Sequence, residues 1–294
     1  MDTILTLNDK KVIISAEQPF TIIGERINPT RRKKLAESMA AGDFTLVQED
    51  ALKQVEAGAH VLDVNAGIPG ADEPALLRGA VQAVLEVVQT PLCLDTANPD
   101  ALQAALEVYP GKALINSTTA EVSMMQRVFP LASRYGAAVI GVITDENGIP
   151  PTPAARLDVA RKLVNTASEY GIPPEDVVID CLALTVGADH LAGRVTLDSL
   201  QLVRQELGVN LSLGASNVSF GLPDRKVINV AYLALAIARG LTMAITDPTV
   251  PEIQTMLLAC DLLTGHDEYA MRWIKAYRKR LKAAELAAQV AAQG

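Results

Sequence analysis

The chain has 294 residues, of which 49% are hydrophobic, and its 26 basic and 34 acidic side chains give a net charge of −8. A chain of this length and hydrophobicity can bury a large core, and its acidic balance argues against a nucleic-acid partner. Three widely separated cysteines indicate neither a disulfide framework nor a zinc site, and the lack of a basic leader or of an apolar run of roughly 20 residues predicts a soluble, cytoplasmic protein with no membrane partner.

The first thirty residues predict a hairpin, a strand and a charged loop. Residues 4–14 alternate apolar and polar side chains around Asn8-Asp9, a two-residue turn signal, and the resulting hairpin is expected to close one end of the fold. A buried strand at 20–23 runs into a charged loop at 24–29. Thr30 is then predicted to cap a basic helix.

From residue 43 onward, helices alternate with short apolar strands. Together with 20–23, the predicted strands are 59–64, 92–94, 113–115, 137–143, 177–179, 209–213 and 242–245. The predicted helices are 43–57, 73–89, 99–108, 120–135, 153–170, 197–207, 226–239 and 250–263. Strands that are apolar throughout are typical of a parallel sheet covered by helices on its outer face.

Eight strand–helix units over about 250 residues predict a closed (β/α)₈ TIM barrel. We place this barrel at about 20–263, with an extra C-terminal helical tail at 266–294, all within a single domain spanning 1–294. A doubly wound open sheet is the main alternative, but the first strand–helix turn lacks the GxGxxG pattern typical of that fold.

Aspartates and asparagines follow most of the predicted strands. They are Asp63, Asn65, Asp95, Asn116, Asp180, Asn217 and Asp247. Any one of them can instead serve as a turn former or helix cap, and Asp100 and Asp247 look most like caps. Because the active site of a TIM barrel lies at the carboxyl ends of its strands, we expect the set to surround one pocket.

The chemistry of this set favours a planar heterocycle over a metal ion. Scattered carboxylates and amides without neighbouring histidine or cysteine make a poor site for a thiophilic metal and do not require a hard cation, so no metal site is predicted. Carboxylates accept paired N–H groups, while amides both donate and accept. A pterin ring has an edge of matching donors and acceptors.

Six motifs occur in order along the chain. They are Ile-Gly-Glu-Arg-Ile-Asn at 23–28, Leu-Asp-Val-Asn-Ala-Gly at 62–67, Leu-Cys-Leu-Asp-Thr at 92–96, Ile-Asn-Ser-Thr at 115–118, Val-Ile-Asp at 178–180 and Gly-Ala-Ser-Asn-Val-Ser at 214–219. Together they resemble the pterin-binding methyltransferases, and most closely the methyltetrahydrofolate:corrinoid protein methyltransferases. The resemblance runs from about Ile22 to Leu263. It departs from the family at 221–223, in a loop that is usually more polar.

The resemblance implies a TIM barrel, usually a homodimer, that moves a methyl group between N5 of tetrahydrofolate and the cobalt of a corrinoid carried by a separate protein. By the same resemblance, the pterin ring binds Asp95, Asn116 and Asp180, and Asn217 hydrogen-bonds N5. The remaining positions of the substrate-binding set are Asp63, Asn65, Gly214, Ser216 and Arg225.

Asn217 is also the expected catalytic residue, because an amide can stabilise N5 as leaving group without titrating, and no histidine is obviously placed as a general acid. The segment 188–193 approximates the DxHxxG motif of corrinoid-carrying domains, but its aspartate is one residue too close, so the corrinoid is expected on the partner. We expect a homodimer from helix 250–263 and Trp273.

Three alternatives stay open at this point. A dihydropteroate synthase-like enzyme shares the barrel and the pterin edge, although the loop after Asn217 lacks the lysine and arginine which that resemblance requires. A barrel lyase that uses a divalent cation and a non-enzymatic folate-binding protein are the others. The direction of transfer, the pathway and the identity of the corrinoid partner are not determined by the sequence.

Overall fold

The computed structural model describes residues 1–293, with side-chain surroundings up to residue 283 and at residue 285. Residue 294, the last of the predicted tail, lies outside them. The chain begins with the predicted hairpin, in which β1 (Thr3–Leu7) pairs antiparallel with β2 (Lys10–Ile14). Leu5 and Ile14 are fully buried against residues of the barrel interior. The hairpin therefore closes the end of the barrel opposite to the strands' carboxyl ends.

Eight parallel strands form the barrel. They are β3 (Thr21–Ile27), β4 (Val61–Asn65), β5 (Leu92–Asp95), β6 (Leu114–Thr119), β7 (Ala138–Val142), β8 (Val177–Asp180), β9 (Leu211–Ser212) and β10 (Met243–Thr246). From β3 to β9 each strand pairs with the next, and β10 pairs with β3. A bridge between Gly214 and Ile245, with a 3.0 Å hydrogen bond from the Ile245 N–H to the Leu213 carbonyl, joins β9 to β10. The predicted TIM barrel is confirmed.

Helices cover the outer face of the sheet. They are α1 (Lys33–Ala40), α2 (Thr45–Glu56), α3 (Glu73–Val87), α4 (Pro99–Leu106), α5 (Val122–Tyr135), α6 (Pro153–Glu169), α7 (Ala192–Leu207), α8 (Arg225–Ala238) and α9 (Pro251–Leu263), followed by α10 (Met271–Gln293). Local sequence sets their ends: the Thr152 hydroxyl accepts from the Ala155 N–H before α6, and Gly208 ends α7 at φ +66°. In the described residues, no helix is both long and apolar enough to cross a membrane.

The alternation of side chains along the strands positions the site. Inside the barrel, one layer of fully buried side chains comprises Ile23, Val61, Cys93, Leu114, Val178 and Met243. Successive strand residues point to opposite faces, so the residue two positions further along points inward at the carboxyl end. These next inward positions are Glu25, Asp63, Asp95, Asn116, Asp180 and Ile245. An apolar barrel core therefore ends in a polar layer.

Several elements end at other residues than predicted, among them β3, α7 and β9. Strand β3 continues to Ile27, which pairs with Val64, so residues 24–27 belong to the barrel and not to a loop. Helix α7 begins at Ala192, five residues before the predicted start. Strand β9 has only two residues, Leu211–Ser212, and beyond it only the single bridge at Gly214 continues the pairing.

Three predicted helix caps are wrong. Thr30 lies in a turn closed by its N–H and the Asn28 carboxamide oxygen, and α1 begins only at Lys33. Asp100 lies in the first turn of α4, whose cap is Asn98. The Asp247 carboxylate accepts from the Thr249 N–H within a short turn, ahead of the start of α9. In each case a side-chain oxygen of Asn or Asp accepts from the backbone N–H two residues further on, and this local turn replaces the predicted helix cap.

Candidate active site at the carboxyl ends of the strands

Four of the predicted residues form a hydrogen-bonded group on β4, β5 and β6. The Asn65 amide donates to the Asp95 carboxylate at 2.9 Å, and the Asn116 amide donates to the Asp63 carboxyl at 3.0 Å. The strand register places Asn65 beside Asp95 and Asp95 beside Asn116. The sequence therefore predicted a set of side chains that the fold does bring together.

Within this group, Asn65 is held at both ends of its amide. Its nitrogen donates to Asp95, and its oxygen accepts from the Gly67 N–H at 2.9 Å. Asp95 is half-buried at the rim, whereas Asp63 below it is only 3% exposed. Asn65 and Asp63 thus support Asp95 and Asn116, which lie closer to the opening.

Burial dominates the electrostatics of the two aspartates. It raises the pKa of Asp63 well above the usual range, and the nearby Asp95 raises it further. Burial also raises the pKa of Asp95, against the lowering effect of hydrogen bonds from Asn65 and Asp63. Two carboxyl groups this close do not both ionise readily at neutral pH.

Asp180 approaches the opening from β8. Its carboxylate accepts from the Leu182 N–H at 2.7 Å, and burial raises its pKa to about 6 despite this hydrogen bond and the nearby Arg156. The next strand places Ser212 beside it, fully buried, with a hydroxyl group that has no hydrogen-bond partner among the described residues. An unpaired buried hydroxyl beside a carboxyl group suits a polar ligand or an ordered water molecule.

Asn217 lies in a short 3-10 helix, Ala215–Ser219, and not at the end of a strand. Its side chain is exposed, and it makes no hydrogen bond to any side chain or backbone group among the described residues. A Cβ atom on Gly214 would lie 3.2 Å from the Asn217 amide nitrogen. Gly214 therefore leaves space for an amide that is free to bind a ligand.

Arg225, the first residue of α8, braces this 3-10 helix from outside. Its guanidinium donates to the Ser216 carbonyl at 2.7 Å and to the Ser219 hydroxyl at 3.0 Å. It also lies 5.8 Å from the centre of the Phe220 ring. The geometry gives Arg225 the task of holding the segment that carries Ser216 and Asn217.

Glu25 is an inward residue that the sequence pattern did not predict as a site residue. Burial raises its pKa to about 7, Asp247 raises it further, and Arg26 and Arg225 oppose the shift. Arg26 in turn lies 3.6 Å from the Asp247 carboxylate. The alternation Ile23–Glu25 would have identified this side chain, had the strand been extended past Gly24.

The three histidines lie away from this group. His60 is half-buried and accepts from the Ile22 N–H through Nδ1, and burial lowers its pKa. His266 contacts the Thr264 hydroxyl beyond α9, and His190 lines a groove between α7 and α8. Among the described residues, no group of three or more metal-ligating side chains could hold an ion. The site is thus built from carboxyl and amide groups.

Residues 24–247 match the protein family described as pterin binding enzyme. The chain belongs to this family. The match begins within β3 and ends immediately after β10, so it covers the carboxyl end of β3 and the whole of the other seven strands.

Relatives with named activities extend the comparison. A methylcorrinoid:tetrahydrofolate methyltransferase from Eubacterium limosum is 28% identical over 266 residues, which cover 88% of this chain and 96% of that protein. Methionine synthases from Mycobacterium leprae and Mycobacterium tuberculosis are 32% and 30% identical and match 78% and 76% of this chain. The chain spans 20% of the length of each of these two.

Solved structures of dihydropteroate synthases share the fold. The enzyme from Yersinia pestis, with a pterine–sulfa conjugate, gives a TM-score of 0.67 at 15% identity and covers 89% of this chain and 98% of that one. The enzyme from Thermus thermophilus, in complex with 6HMPPP, gives 0.63 at 20% identity, with 88% and 99% covered. At these identities the likeness shows the barrel fold alone.

Proposed function

We propose that the protein transfers a methyl group between N5 of tetrahydrofolate and the cobalt of a corrinoid that a separate protein carries. The observation that supports it best is the unpaired amide of Asn217 opposite a group of buried and half-buried carboxyl and amide side chains. The similarity to the Eubacterium limosum methyltransferase over nearly the whole of both chains adds to this support.

The pterin ring is proposed to bind between Asp95, Asn116 and Asp180. Carboxylate oxygens accept from the ring's amino and imino N–H groups, and these hydrogen bonds are strong because one partner is charged. Burial of Asp180, which is 8% exposed, strengthens them further, since the local dielectric is low. Ser216 and Gly214 lie beside the ring, and Glu25 faces the same opening from β3.

Asn217 is proposed to act on N5. In the direction from folate to cobalt, N5 is a poor leaving group, and a hydrogen bond that strengthens as the N–C bond breaks lowers the barrier. In the opposite direction, the amide oxygen accepts from the N5–H group, so the N5 lone pair is free to attack the methyl group. The N5 proton then leaves to solvent, and transfer from folate to cobalt takes a proton up again. The corrinoid supplies the cobalt centre that gives or accepts the methyl group.

We also propose that residues 1–294 act as one domain in a cytoplasmic homodimer. The sequence suggested a dimer face formed by 250–263 and Trp273. Trp273 is already half-buried within its own chain, and Arg280 lies over its ring, so little of this side chain is left for a partner. A groove of about 760 Å³ between α7 and α8 is a better candidate. Its edge carries Val227 and Leu235, which are 63% and 56% exposed. A ridge and a groove on one surface suit a two-fold interface.

The test of the proposed reaction uses free cob(I)alamin as the methyl acceptor. Methyltetrahydrofolate, reduced cob(I)alamin and the protein are mixed anaerobically, and the cobalt absorption spectrum is followed with time. We expect conversion to the methylated cobalamin at a rate proportional to enzyme concentration, and the reverse reaction with methylcobalamin and tetrahydrofolate. If tetrahydrofolate binds but no methyl group is transferred in either direction, the proposed reaction is wrong and the alternative of a non-enzymatic folate-binding protein is favoured.

The dihydropteroate synthase alternative has its own assay. Condensation of p-aminobenzoate with a pterin pyrophosphate gives dihydropteroate, which chromatography detects. We expect none, since 218–225 contains one basic residue, Arg225, and its guanidinium is engaged with Ser216 and Ser219. Formation of dihydropteroate would contradict the proposed methyl transfer and favour the activity of the dihydropteroate synthases that share the fold.

A further inference from the structure

Asp63 is a buried carboxyl group beside which the described residues place no cation. Its residue exposure is 3%, and none of the ion pairs formed by the described residues includes it. The titratable groups that face it are Asp95 and Cys93 on β5 and Glu25 on β3, all of them acids. Burying an unpaired charge is costly, and a neighbouring carboxylate makes ionisation costlier still. The surroundings therefore favour the neutral form of Asp63.

The hydrogen bonds around Asp63 fit a neutral acid. One oxygen, Oδ1, accepts from the Asn116 amide at 3.0 Å, as the carbonyl oxygen of a protonated carboxyl group does. The other side of the group faces Asp95, whose carboxylate already accepts from the Asn65 amide, and the Cys93 thiol, a weak donor that also hydrogen-bonds Asp63. A proton on Asp63 can be donated to Asp95, whereas two ionised groups would repel each other.

We propose that Asp63 is a positioning residue that holds a proton at neutral pH, donating to the Asp95 carboxylate and accepting from the Asn116 amide so that both are oriented toward the ligand. The pKa of Asp63, raised by burial and by Asp95, agrees with this assignment. Only the identity of the ligand, a tetrahydropterin, rests on the proposed function.

The arrangement fixes which atoms the ligand meets. One N–H of the Asn116 amide donates to Asp63, and its oxygen, for which the described residues supply no donor, is left to accept a hydrogen bond. Asp95 retains its negative charge because Asp63 and Asn65 both donate to it. The rim therefore presents two adjacent acceptors, which select a heterocycle with adjacent N–H donors. Asp63 sets this polarity without itself touching the ligand.

Isosteric substitutions test the assignment, because Asp63 and Asp95 should respond in opposite ways. In Asp63→Asn, the new amide donates where the carboxyl O–H donated and accepts where its carbonyl accepted, so the Kd for methyltetrahydrofolate should stay within about threefold. Asp95→Asn removes the charge that accepts the ligand's N–H groups, and affinity should fall about tenfold or more. Asp63→Ala should also lose about tenfold, since both neighbours are released. Calorimetry measures all three.

Equal losses in Asp63→Asn and Asp95→Asn would mean that Asp63 is an ionised ligand, and the proposal would be wrong. An unchanged affinity in Asp63→Ala would equally remove the positioning role. Isotope-edited infrared spectroscopy of the native protein provides a measurement that needs no ligand. At pH 7, with the isotope placed in aspartate so that Glu25 is not detected, we expect the carbonyl stretch of a protonated carboxyl group, and this band should be lost in Asp63→Asn; its absence from the native protein overturns the proposal. If the native protein binds no methyltetrahydrofolate, the proposed function fails while the infrared result still decides the protonation of Asp63.

Discussion

The guanidinium of Arg225 donates to the Ser216 carbonyl at 2.7 Å, one residue before the amide proposed to act on N5. Its second contact, from Nε to the Ser219 hydroxyl at 3.0 Å, ties the other end of the same short helix. Two contacts from one planar group fix the segment more firmly than either alone. The position of Asn217 therefore depends on a residue outside the strands.

Replacing Arg225 by lysine should lower methyl transfer. A lysine ammonium is a point donor and cannot bond both Ser216 and Ser219 in the geometry of the planar guanidinium. We expect Arg225→Lys to lose about tenfold in kcat, the scale of one hydrogen bond, with a nearly unchanged melting temperature. Arg31→Lys is a matched control, because Arg31 also lies over the Phe220 ring, at 5.3 Å, and contacts neither serine. An equal loss of kcat in both variants would mean that the arginine–Phe220 contact, and not the hydrogen bonds to Ser216 and Ser219, supports methyl transfer.

Gly214→Ala should separate folding from activity. Gly214 has a φ of −75°, which alanine adopts freely, so the backbone should be preserved. The added Cβ would lie 3.2 Å from the Asn217 amide nitrogen and should displace it by a few tenths of an ångström. We expect a transfer rate lowered about tenfold, because displaced donors lose transition-state stabilisation steeply. Stopped-flow transfer and circular dichroism of the variant check the two parts separately.

The inward-facing site residues could be predicted from the sequence, because the alternation of side chains along a strand and the end of an apolar run are both visible in a few neighbouring residues. Asp63, Asp95, Asn116 and Asp180 were found in this way, as each ends an apolar run. Glu25 was missed because Gly24 was taken as the end of a strand. In the structure that glycine is inside β3, where a Cβ would lie 2.5 Å from the Gln54 side chain of α2. Contact with a distant helix is not visible in a local pattern.

The roles within the group were less predictable than its membership. Asn65 and Asp95 are both polar residues at strand ends, and only the register shows that one holds the other. The same is true of Arg225, whose basic side chain suggested ligand contact while its hydrogen bonds go to the protein. Patterns locate polar side chains, whereas partner choice depends on three-dimensional neighbours.

The affinity for tetrahydrofolate should fall in acid through Asp180. Burial raises the pKa of this carboxyl group to about 6 in the free protein, and the ligand's N–H groups require the ionised form. Below pH 6 the association constant should drop by about tenfold per unit as the proton competes with the ligand. Equilibrium titrations between pH 4.5 and 8 measure the slope. In Asp180→Asn, binding should be weaker at neutral pH, and the Asp180-dependent part of the slope should vanish.

The same shift makes a prediction for stability, with the opposite sign. A carboxyl group whose folded pKa exceeds its unfolded value, here about 6 against 3.8, stabilises the fold most below the unfolded pKa. Its contribution is lost as the pH rises through 6 and amounts to about 3 kcal/mol at most. Without ligand, Asp180→Asn should therefore gain stability relative to the native protein near pH 7, as chemical denaturation measures.

The proposed dimer face is tested by one charge substitution. Leu235, 56% exposed on α8 beside the groove, should tolerate glutamate in a monomer, but the charge would be buried without a partner in a dimer. Leu235→Glu should therefore shift the mass in light scattering from dimer to monomer. Leu52→Glu is the matched control, since Leu52 is 49% exposed on α2, and it should leave the mass unchanged. A native monomer, or a dimer that survives Leu235→Glu, contradicts this interface.

Asn217→Ala should affect the rate far more than binding. If the amide stabilises charge that develops at N5 only as the methyl group moves, its removal should slow transfer roughly 10²–10³-fold, as the loss of one transition-state donor does. The exposed side chain has no hydrogen-bond partner among the described residues, so the fold should not depend on it. Stopped-flow transfer to cob(I)alamin and calorimetric binding of methyltetrahydrofolate give the two quantities. A rate that falls only in proportion to affinity would make Asn217 a residue that positions the ligand.

Asn217→Asp distinguishes hydrogen-bond donation from shape. The side chains are nearly isosteric, but an ionised carboxylate accepts and cannot donate, so the variant should be impaired at neutral pH. Lowering the pH should restore part of the rate relative to the native enzyme, because a protonated carboxyl group regains a donor. Tetrahydrofolate binding through Asp180 weakens over the same range, so the comparison uses single-turnover rates at saturating ligand. If the ratio of variant to native rate stays constant from pH 7 to pH 5, donation by residue 217 is not the source of N5 activation.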